Sequence, residues 1–148
     1  MATIQLPHDF REFLRLLNAH QVEYLLIGGY AVSYHGYPRA TGDMDVWIAT
    51  RRDNAARLLA ALREFGMDVI KFSPELFSQE NQIVRMGVPP LRIELLTTIS
   101  GVTFDRCYAE RITEVIDEVE VPIINLQHLK QNKKASGRHK DLNDLKNL

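Results

Sequence analysis

The chain has little that would tie it to an oxidising compartment, a membrane or a zinc centre. Its 148 residues contain one cysteine, Cys107, so no internal disulfide can form, and no His/Cys spacing typical of zinc is present. No apolar run approaches the ~20 residues that would span a bilayer. The N-terminal residues contain no apolar stretch of signal-peptide length. We therefore expect a cytoplasmic protein without a membrane partner, in which Cys107 is a small buried residue.

An excess of charge of one sign is also lacking. The 18 Lys and Arg residues nearly balance the 19 Asp and Glu residues, for a formal net charge of -1. No overall field therefore attracts nucleic acid, and we expect no readout of a DNA sequence. The 45% hydrophobic and 25% charged fractions are typical of a globular protein. Because no repeat or shift in composition divides the chain, residues 1–148 are expected to form a single domain.

Hydrophobic periodicity predicts alternating helices and strands, then a strand-rich region, then two closing helices. Strands are predicted at 22–27, 43–49, 82–86, 91–96, 111–116 and 119–124, with a weaker one at 67–70. Helices are predicted at 9–19, 30–35 and 104–110, and a further helix runs from a capping box at Thr50 and Asp53 through Phe65. A single helical turn is predicted after Ser73. Two closing helices are predicted to begin near Leu126 and near Arg138. This order predicts the α+β (mixed α/β) class, with a central mixed β-sheet flanked by helices.

Gly28 and Gly29 follow directly after a short apolar strand. Without side chains, their backbone N–H groups can approach an anion closely. If a helix begins at Tyr30, its free N–H groups and its positive dipole end point to the same place. The pattern is compatible with a phosphate-binding turn and equally with a plain tight turn.

Two carboxylates stand side by side at Asp43 and Asp45. Residues two apart in a strand project to the same face, roughly 6.5–7 Å apart along the backbone. Two such carboxylates repel each other unless a cation compensates them, and Mg²⁺ favours carboxylate oxygens together with substrate phosphates. The alternative is a solvent-facing strand whose aspartates only keep an edge soluble. Aspartate is depleted in strands, which favours the metal interpretation.

A third acid, Glu94, lies inside an apolar run of isoleucine and leucine. An acidic residue in such surroundings needs a partner. One candidate is Arg92, which shares its face of the strand, so a simple salt bridge would explain it. The other candidate is a metal shared with Asp43 and Asp45, if the two strands are neighbours. Leu96 stands where a metal-dependent nuclease with a Glu-x-Lys pair would have its lysine, which disfavours that class.

Taken together, these segments resemble the nucleotidyltransferase superfamily typified by DNA polymerase beta. That family has a Gly-Gly or Gly-Ser turn, an Asp-x-Asp on the following strand and a third carboxylate on a later strand. The chain has LLIGGY at 25–30, GDMDV at 42–46 and RIELL at 92–96. It is similar in particular to the minimal bacterial nucleotidyltransferases, which occur alone or in toxin–antitoxin and abortive-infection systems. That similarity includes RATGD at 39–43, LTTISG at 96–101 and NKKASGRHKD at 132–141, so it extends from about Val22 to the C-terminus.

The resemblance implies a role for each group. Gly28 and Gly29 would hold a triphosphate through backbone contacts. Asp43, Asp45 and Glu94 would be the catalytic and metal-binding residues for one or two Mg²⁺ ions, with Glu94 also the general base. Two features depart from the family pattern: the third acid is glutamate, where many relatives have aspartate, and the turn lacks the serine whose hydroxyl often contacts phosphate.

Further nucleotide-binding candidates lie around these motifs, and each has a plainer interpretation. Tyr30 begins the helix after the turn, Arg39 precedes the acids and is otherwise a surface arginine, and Thr41 otherwise only starts the strand. Lys134 and Arg138 belong to a basic stretch that would contact a triphosphate or an RNA acceptor. The plainer interpretation is that this stretch is a helix face exposed to solvent. Trp47 shares the aspartate face and stacks on a base or, more simply, packs at the cleft floor.

The predicted activity is metal-dependent transfer of a nucleoside monophosphate from a nucleoside triphosphate to an acceptor hydroxyl, with release of pyrophosphate. The acceptor would be a protein, an RNA or a small molecule. A partner protein or a homo-oligomer would complete the site, because the chain is short for an acceptor-recognition domain. The alternative is a catalytically weak or inactive nucleotide-binding module that acts with a partner, like an antitoxin.

Overall fold

The first helix, α1 (His8–Ala19), carries its apolar residues on one face. Phe10, Phe13, Leu14 and Leu17 are all buried, as their helical spacing predicts. Phe13 meets Phe65 of α3 (Arg52–Phe65) edge to face, with ring centroids 5.2 Å apart. The two longest helices are thereby packed together in the core.

A six-stranded mixed sheet lies at the centre of the computed structural model, which describes residues 4–88 and 90–148. In chain order its strands are β1 (Tyr24–Ile27), β2 (Asp43–Ile48), β3 (Ile83–Val88), β4 (Leu91–Leu96), β5 (Ile112–Ile116) and β6 (Val119–Ile123). The spatial order is β3-β4-β2-β1-β6-β5. The β1/β2, β3/β4 and β5/β6 pairs are antiparallel, whereas β2/β4 and β1/β6 are parallel. The predicted α+β class with a central mixed sheet is confirmed.

The remaining helices flank this sheet or connect its strands. They are α2 (Gly28–Tyr34), α4 (Phe104–Ala109), α5 (Leu126–Ser136) and α6 (His139–Lys146). Short 3₁₀ helices occupy Val69–Lys71 and Pro74–Ser78. Within the described ranges, no helix is long and apolar enough to cross a membrane. Cys107 is buried and unpaired, and burial first, with Glu110 second, raises the pKa of its thiol to about 11.

Two local predictions are wrong. The weak strand expected at 67–70 is a 3₁₀ turn, because the Asp68 carboxylate accepts a hydrogen bond from the Ile70 backbone N–H at 3.2 Å. The capping box expected at Thr50 is also absent, since α3 begins at Arg52 and its N-terminus has no side-chain cap. The Asp53 carboxylate instead pairs with Arg57 one turn later, at 3.1 Å.

Strand β2 is central to the sheet and alternates as predicted. Met44, Val46 and Ile48 are completely buried on one face. Asp43, Asp45 and Trp47 point to the other face. The Trp47 indole N–H donates to the Thr97 carbonyl at 3.3 Å, and its ring packs edge to face on Phe104. At 1% exposure, Trp47 is core material and does not stack on a base.

Candidate active site

The register of the two parallel strands β2 and β4 brings the acids together. Asp45 lies directly opposite Glu94, and Asp43 lies opposite Arg92. Sequence alone left open whether these strands are neighbours. Because residues paired across two strands present side chains to the same face, Asp45 and Glu94 share one small region above the sheet.

The glycine turn lies against the same region. Ile27, the last residue of β1, pairs with Asp45, and the chain then turns into α2 at Gly28. Gly28 has φ +67°, and a Cβ atom there would lie 2.2 Å from Asp45 Oδ2. A Cβ atom on Gly29 would lie 2.6 Å from the Thr41 hydroxyl. A side chain at Gly28 would be strained in this left-handed conformation and would push Asp45 away, and one at Gly29 would have to move Thr41.

Asp45 is the acid that lacks compensation. Its Oδ1 atom is buried and has no hydrogen-bond partner within the described residues. Burial, followed by the charge of Glu94 and a hydrogen bond with Glu94, raises the pKa of Asp45 to about 7. Asp43 adds to the rise, and the charge of Lys140 opposes it. A buried carboxyl beside two others has the surroundings expected of a site that a cation would complete.

The other two acids are each held by an arginine of the same sheet. Arg92 donates to both oxygens of Asp43, Nε to Oδ1 at 3.2 Å and Nη2 to Oδ2 at 3.1 Å. Arg85 of β3 donates from Nε to Glu94 Oε1 at 2.9 Å. In the part of the chain that the structure describes, no three Asp, Glu, His or Cys side chains form a preassembled metal cage. The alternative that gave Glu94 a salt bridge to Arg92 is wrong, because Arg92 pairs with Asp43 and Glu94 pairs with Arg85.

The residues nevertheless fit a hard divalent cation. The charges of Asp43 and Glu94 both act on Asp45, and the Asp45 Oδ1 atom is buried without a hydrogen-bond partner among the described residues. Oxygen donors alone are the set that Mg²⁺ prefers. The two arginines are at least one-third exposed, so their ion pairs can be exchanged.

A wall of paired charges formed by α5 and α6 faces the acids. Lys133 is buried and bonds Asp141 at 2.7 Å and Asp144 at 3.2 Å. Burial alone would raise the pKa of Asp141, but hydrogen bonds from Lys133 and Ser136 hold that pKa at about 2. Arg39 donates hydrogen bonds to both carboxylate oxygens of Asp144, from Nε to Oδ1 at 2.8 Å and from Nη2 to Oδ2 at 2.9 Å. The loop that carries Arg39 is thereby fixed to the C-terminal helices.

Between this wall and the sheet lies a cleft of about 770 Å³. The predicted site residues that line it are Gly28, Gly29, Arg39, Thr41, Asp43, Asp45, Glu94 and Arg138. A volume of this size suits a nucleotide. These eight residues come from segments that are distant in the sequence, and the fold brings them to a single cleft.

Residues 9–148 match the family model for aminoglycoside-2''-adenylyltransferase. The chain belongs to this family. Nucleotidyl transfer is thus the general chemistry of the group to which it belongs. A search of curated proteins found no match.

Solved structures agree with this family at the level of the fold. A Thermotoga maritima protein classed as a nucleotidyltransferase superposes with a TM-score of 0.63 at 16% identity, covering 93% of this chain and 88% of that one. An antigenic nucleotidyltransferase-like protein from Paracoccidioides brasiliensis gives a TM-score of 0.54 at 16% identity, covering 93% and 72%. The predicted membership of the nucleotidyltransferase superfamily is confirmed.

Tyr30 and Lys134 were predicted to bind nucleotide, but in this family member their side chains do not line the cleft. The Tyr30 side chain is buried and packs edge to face on Phe10, with ring centroids 6.0 Å apart, so only its backbone could contact a ligand. Lys134 is exposed and lies outside the cleft lining. Helix α5 turns its neighbour Lys133 inward instead.

Three basic residues of the cleft were not among the predicted nucleotide-binding residues: Arg85, Lys133 and Lys140. Lys133 follows the buried Leu129 by four residues, so helical periodicity would have placed it on the inward face. Lys140 lies in the basic stretch at 132–141, and a count of charges does not show which of its side chains face the cleft. No sequence pattern marked Arg85 as a site residue, because its position beside Glu94 depends on the pairing of β3 with β4.

Proposed function

We propose that this protein transfers a nucleoside monophosphate from a Mg²⁺-bound nucleoside triphosphate to an acceptor hydroxyl. The acceptor oxygen bonds to the α-phosphorus, the bond from that phosphorus to the leaving oxygen breaks, and pyrophosphate departs with the electron pair. The hydroxyl proton passes to a carboxylate. The observation that carries the proposal is the pairing of Asp45 with Glu94 across two parallel strands, beside the close-packed Gly28 turn.

Asp43, Asp45 and Glu94 would hold the metal. When bound, Mg²⁺ supplies charge neutralisation for the phosphate oxygens and for the entering and leaving groups. The acids fit this role because Asp45 offers a buried oxygen without a partner among the described residues, and burial followed by the negative charges of Glu94 and Asp43 raises its pKa.

Glu94 is the candidate proton acceptor for the attacking hydroxyl. Its side chain is 17% exposed, so one side is open to the cleft while Arg85 occupies Oε1. A general base must reach the proton that it removes, and a carboxylate at the cleft surface satisfies this requirement. Asp45 lies against the Gly28 turn and its Oδ1 atom is buried, which suits a metal ligand rather than a base.

The cations on the C-terminal side of the cleft would receive the triphosphate. Arg138 is paired with Asp141 but 79% exposed, so most of its guanidinium is open. Lys140 lines the cleft, and within residues 4–88 and 90–148 it has no carboxylate within 4 Å. Its charge lowers the pKa of Asp45, so its ammonium group acts on the centre of the site.

Replacement of Lys140 should therefore weaken nucleotide binding far more than replacement of Lys134. For Lys140→Gln we expect the KM for the nucleoside triphosphate to rise by about tenfold, the effect of losing one exposed charge-assisted phosphate contact. Lys134→Gln removes the same charge from a residue outside the cleft lining and should leave KM unchanged. Equal effects of the two variants would contradict the placement of the triphosphate beside α6.

The acceptor to test first is a hydroxylated aminosugar, because the matched family is named for adenylyl transfer to aminoglycosides. ATP is the matching donor. A protein hydroxyl and an RNA 3′ end are the other acceptors that the proposal allows, and a second copy or a partner protein would complete their binding surface.

The test is incubation of the purified protein with Mg²⁺ and each α-labelled nucleoside triphosphate, with aminoglycosides, RNA or cell extract supplied in parallel. Label should move to one acceptor class and pyrophosphate should appear, and both should be lost in Asp43→Asn/Asp45→Asn. Metal-dependent nucleotide binding without transfer would instead support an inactive, antitoxin-like binding module. Neither binding nor transfer would overturn the proposal.

A further inference from the structure

The acids of the site are already neutralised in part by arginines of their own sheet. Arg92 makes two hydrogen bonds to Asp43, and Arg85 makes one to Glu94. Among the described residues, Asp45 is the acid of the three that is left without a cation. A metal that used all three carboxylates would therefore compete with two guanidinium groups for the same negative charges.

These ion pairs are built to be exchanged. The paired side chains of Arg92 and Asp43 are 34% and 36% exposed, and that of Arg85 is 58% exposed. Exposed ion pairs are held weakly, since water competes with both partners. The pairs of the Lys133 wall are different, because Lys133, Asp141 and Asp144 are nearly fully buried. The ion pairs of Asp43 and Glu94 are thus exchangeable, whereas the buried ion pairs of Lys133 on the opposite side of the cleft are fixed.

A triphosphate would give Arg85 a new partner once this arginine releases Glu94. Arg85 lines the cleft, and its planar guanidinium suits phosphate oxygens as well as it suits a carboxylate. When nucleotide and metal enter together, the carboxylates gain the metal while an arginine gains a phosphate. When the metal enters alone, the arginines lose their partners and gain none.

From this difference we propose that Arg85 and Arg92 make metal binding depend on the nucleotide. The arginines occupy Asp43 and Glu94 in the free protein and so lower the affinity for a divalent cation by itself. They give up the carboxylates when the triphosphate arrives. The inference rests on the proposed function, and it adds a regulatory role for two side chains that contact the metal ligands rather than the metal.

The experiment measures Mn²⁺ binding by electron paramagnetic resonance, with Mn²⁺ alone and with a nonhydrolysable α,β-methylene analogue of ATP. Proteins compared are the wild type, Arg85→Gln, Arg92→Gln and the double variant. Arg63→Gln is the matched control, because it removes the same charge from an exposed position on α3 away from the cleft. Arg92→Lys keeps the charge but cannot bond both oxygens of Asp43 in the same planar geometry. Thermal unfolding of each variant checks that it is folded.

For Mn²⁺ alone, affinity should rise about threefold in each single Gln variant and about tenfold in the double variant, the scale of removing an exposed competing ion pair. Arg92→Lys should fall between wild type and Arg92→Gln, and Arg63→Gln should match wild type. The gain in Mn²⁺ affinity caused by the analogue should shrink in the double variant, because the analogue then has no guanidinium groups to draw away from the carboxylates.

Unchanged or weaker Mn²⁺ affinity in the double variant would overturn this inference while leaving the proposed function intact, since the arginines would then only position the acids. A wild type that binds no Mn²⁺ even with the analogue would instead overturn the proposed function, and this inference with it. A rise as large in Arg63→Gln as in Arg92→Gln would mean that net charge alone is responsible, and would also overturn it.

Discussion

Asp45→Asn should stabilise the metal-free protein near neutral pH while abolishing transfer. The pKa of Asp45 is about 7 in the folded protein and 3.8 in the reference state. Between these values the folded protein holds a proton that the unfolded chain has released, so the free energy of unfolding falls as pH rises from about 4 to 7. Above that window the folded protein carries a buried, uncompensated charge, and the asparagine variant does not.

The measurement is the thermal midpoint without metal at pH 5 and pH 8. We expect the thermal midpoint of the variant to rise relative to that of the wild type as pH increases. At pH 8 it should be higher by roughly 2–4 °C or more, which corresponds to about 1 kcal/mol in a chain of this size. Transfer activity should fall by about 100-fold or more, the scale of losing a preorganised electrostatic group. An asparagine variant less stable than wild type at pH 8 would show that the charge of Asp45 is compensated within the protein.

Gly28→Ala should be among the most damaging single-atom additions to the chain. A Cβ atom there would lie 2.2 Å from Asp45 Oδ2, in a backbone conformation with φ +67°. The alanine must therefore adopt a left-handed conformation and also push the Asp45 carboxylate away. We expect a loss of about 3 kcal/mol or more in unfolding free energy, of which about 1–2 kcal/mol is the backbone cost.

The chain supplies a matched control at Gly137, the residue after α5. Its φ is +66°, but no atom lies within 4 Å of the place that a Cβ atom would take there. Gly137→Ala should therefore lose only the backbone part, and it should keep metal-dependent nucleotide binding that Gly28→Ala loses. Chemical denaturation of both variants, followed by a binding titration, measures the difference. Equal losses of stability with intact binding in both would show that Asp45 yields freely to a methyl group.

The elements themselves were largely readable from local pattern. The alternation of polar and apolar residues from Asp43 to Ile48 predicts a strand with one buried face, and the structure has it. The helical spacing from Phe10 to Leu17 predicts α1 in the same way. Predictions failed where a short side chain acted locally, as at Asp68, whose carboxylate closes a turn that hydropathy cannot show.

Sequence by itself determined which chemical groups the protein has: a glycine turn after a strand, two aspartates with strand spacing, and a glutamate in an apolar run. Tertiary structure alone decided which of them meet. The register of β2 against β4 places Glu94 beside Asp45 and Arg92 beside Asp43, and the pairing of β3 with β4 brings Arg85 to Glu94. The reason is physical: strand neighbours and their register are set by long-range packing of the core, and no local pattern of residues carries that information.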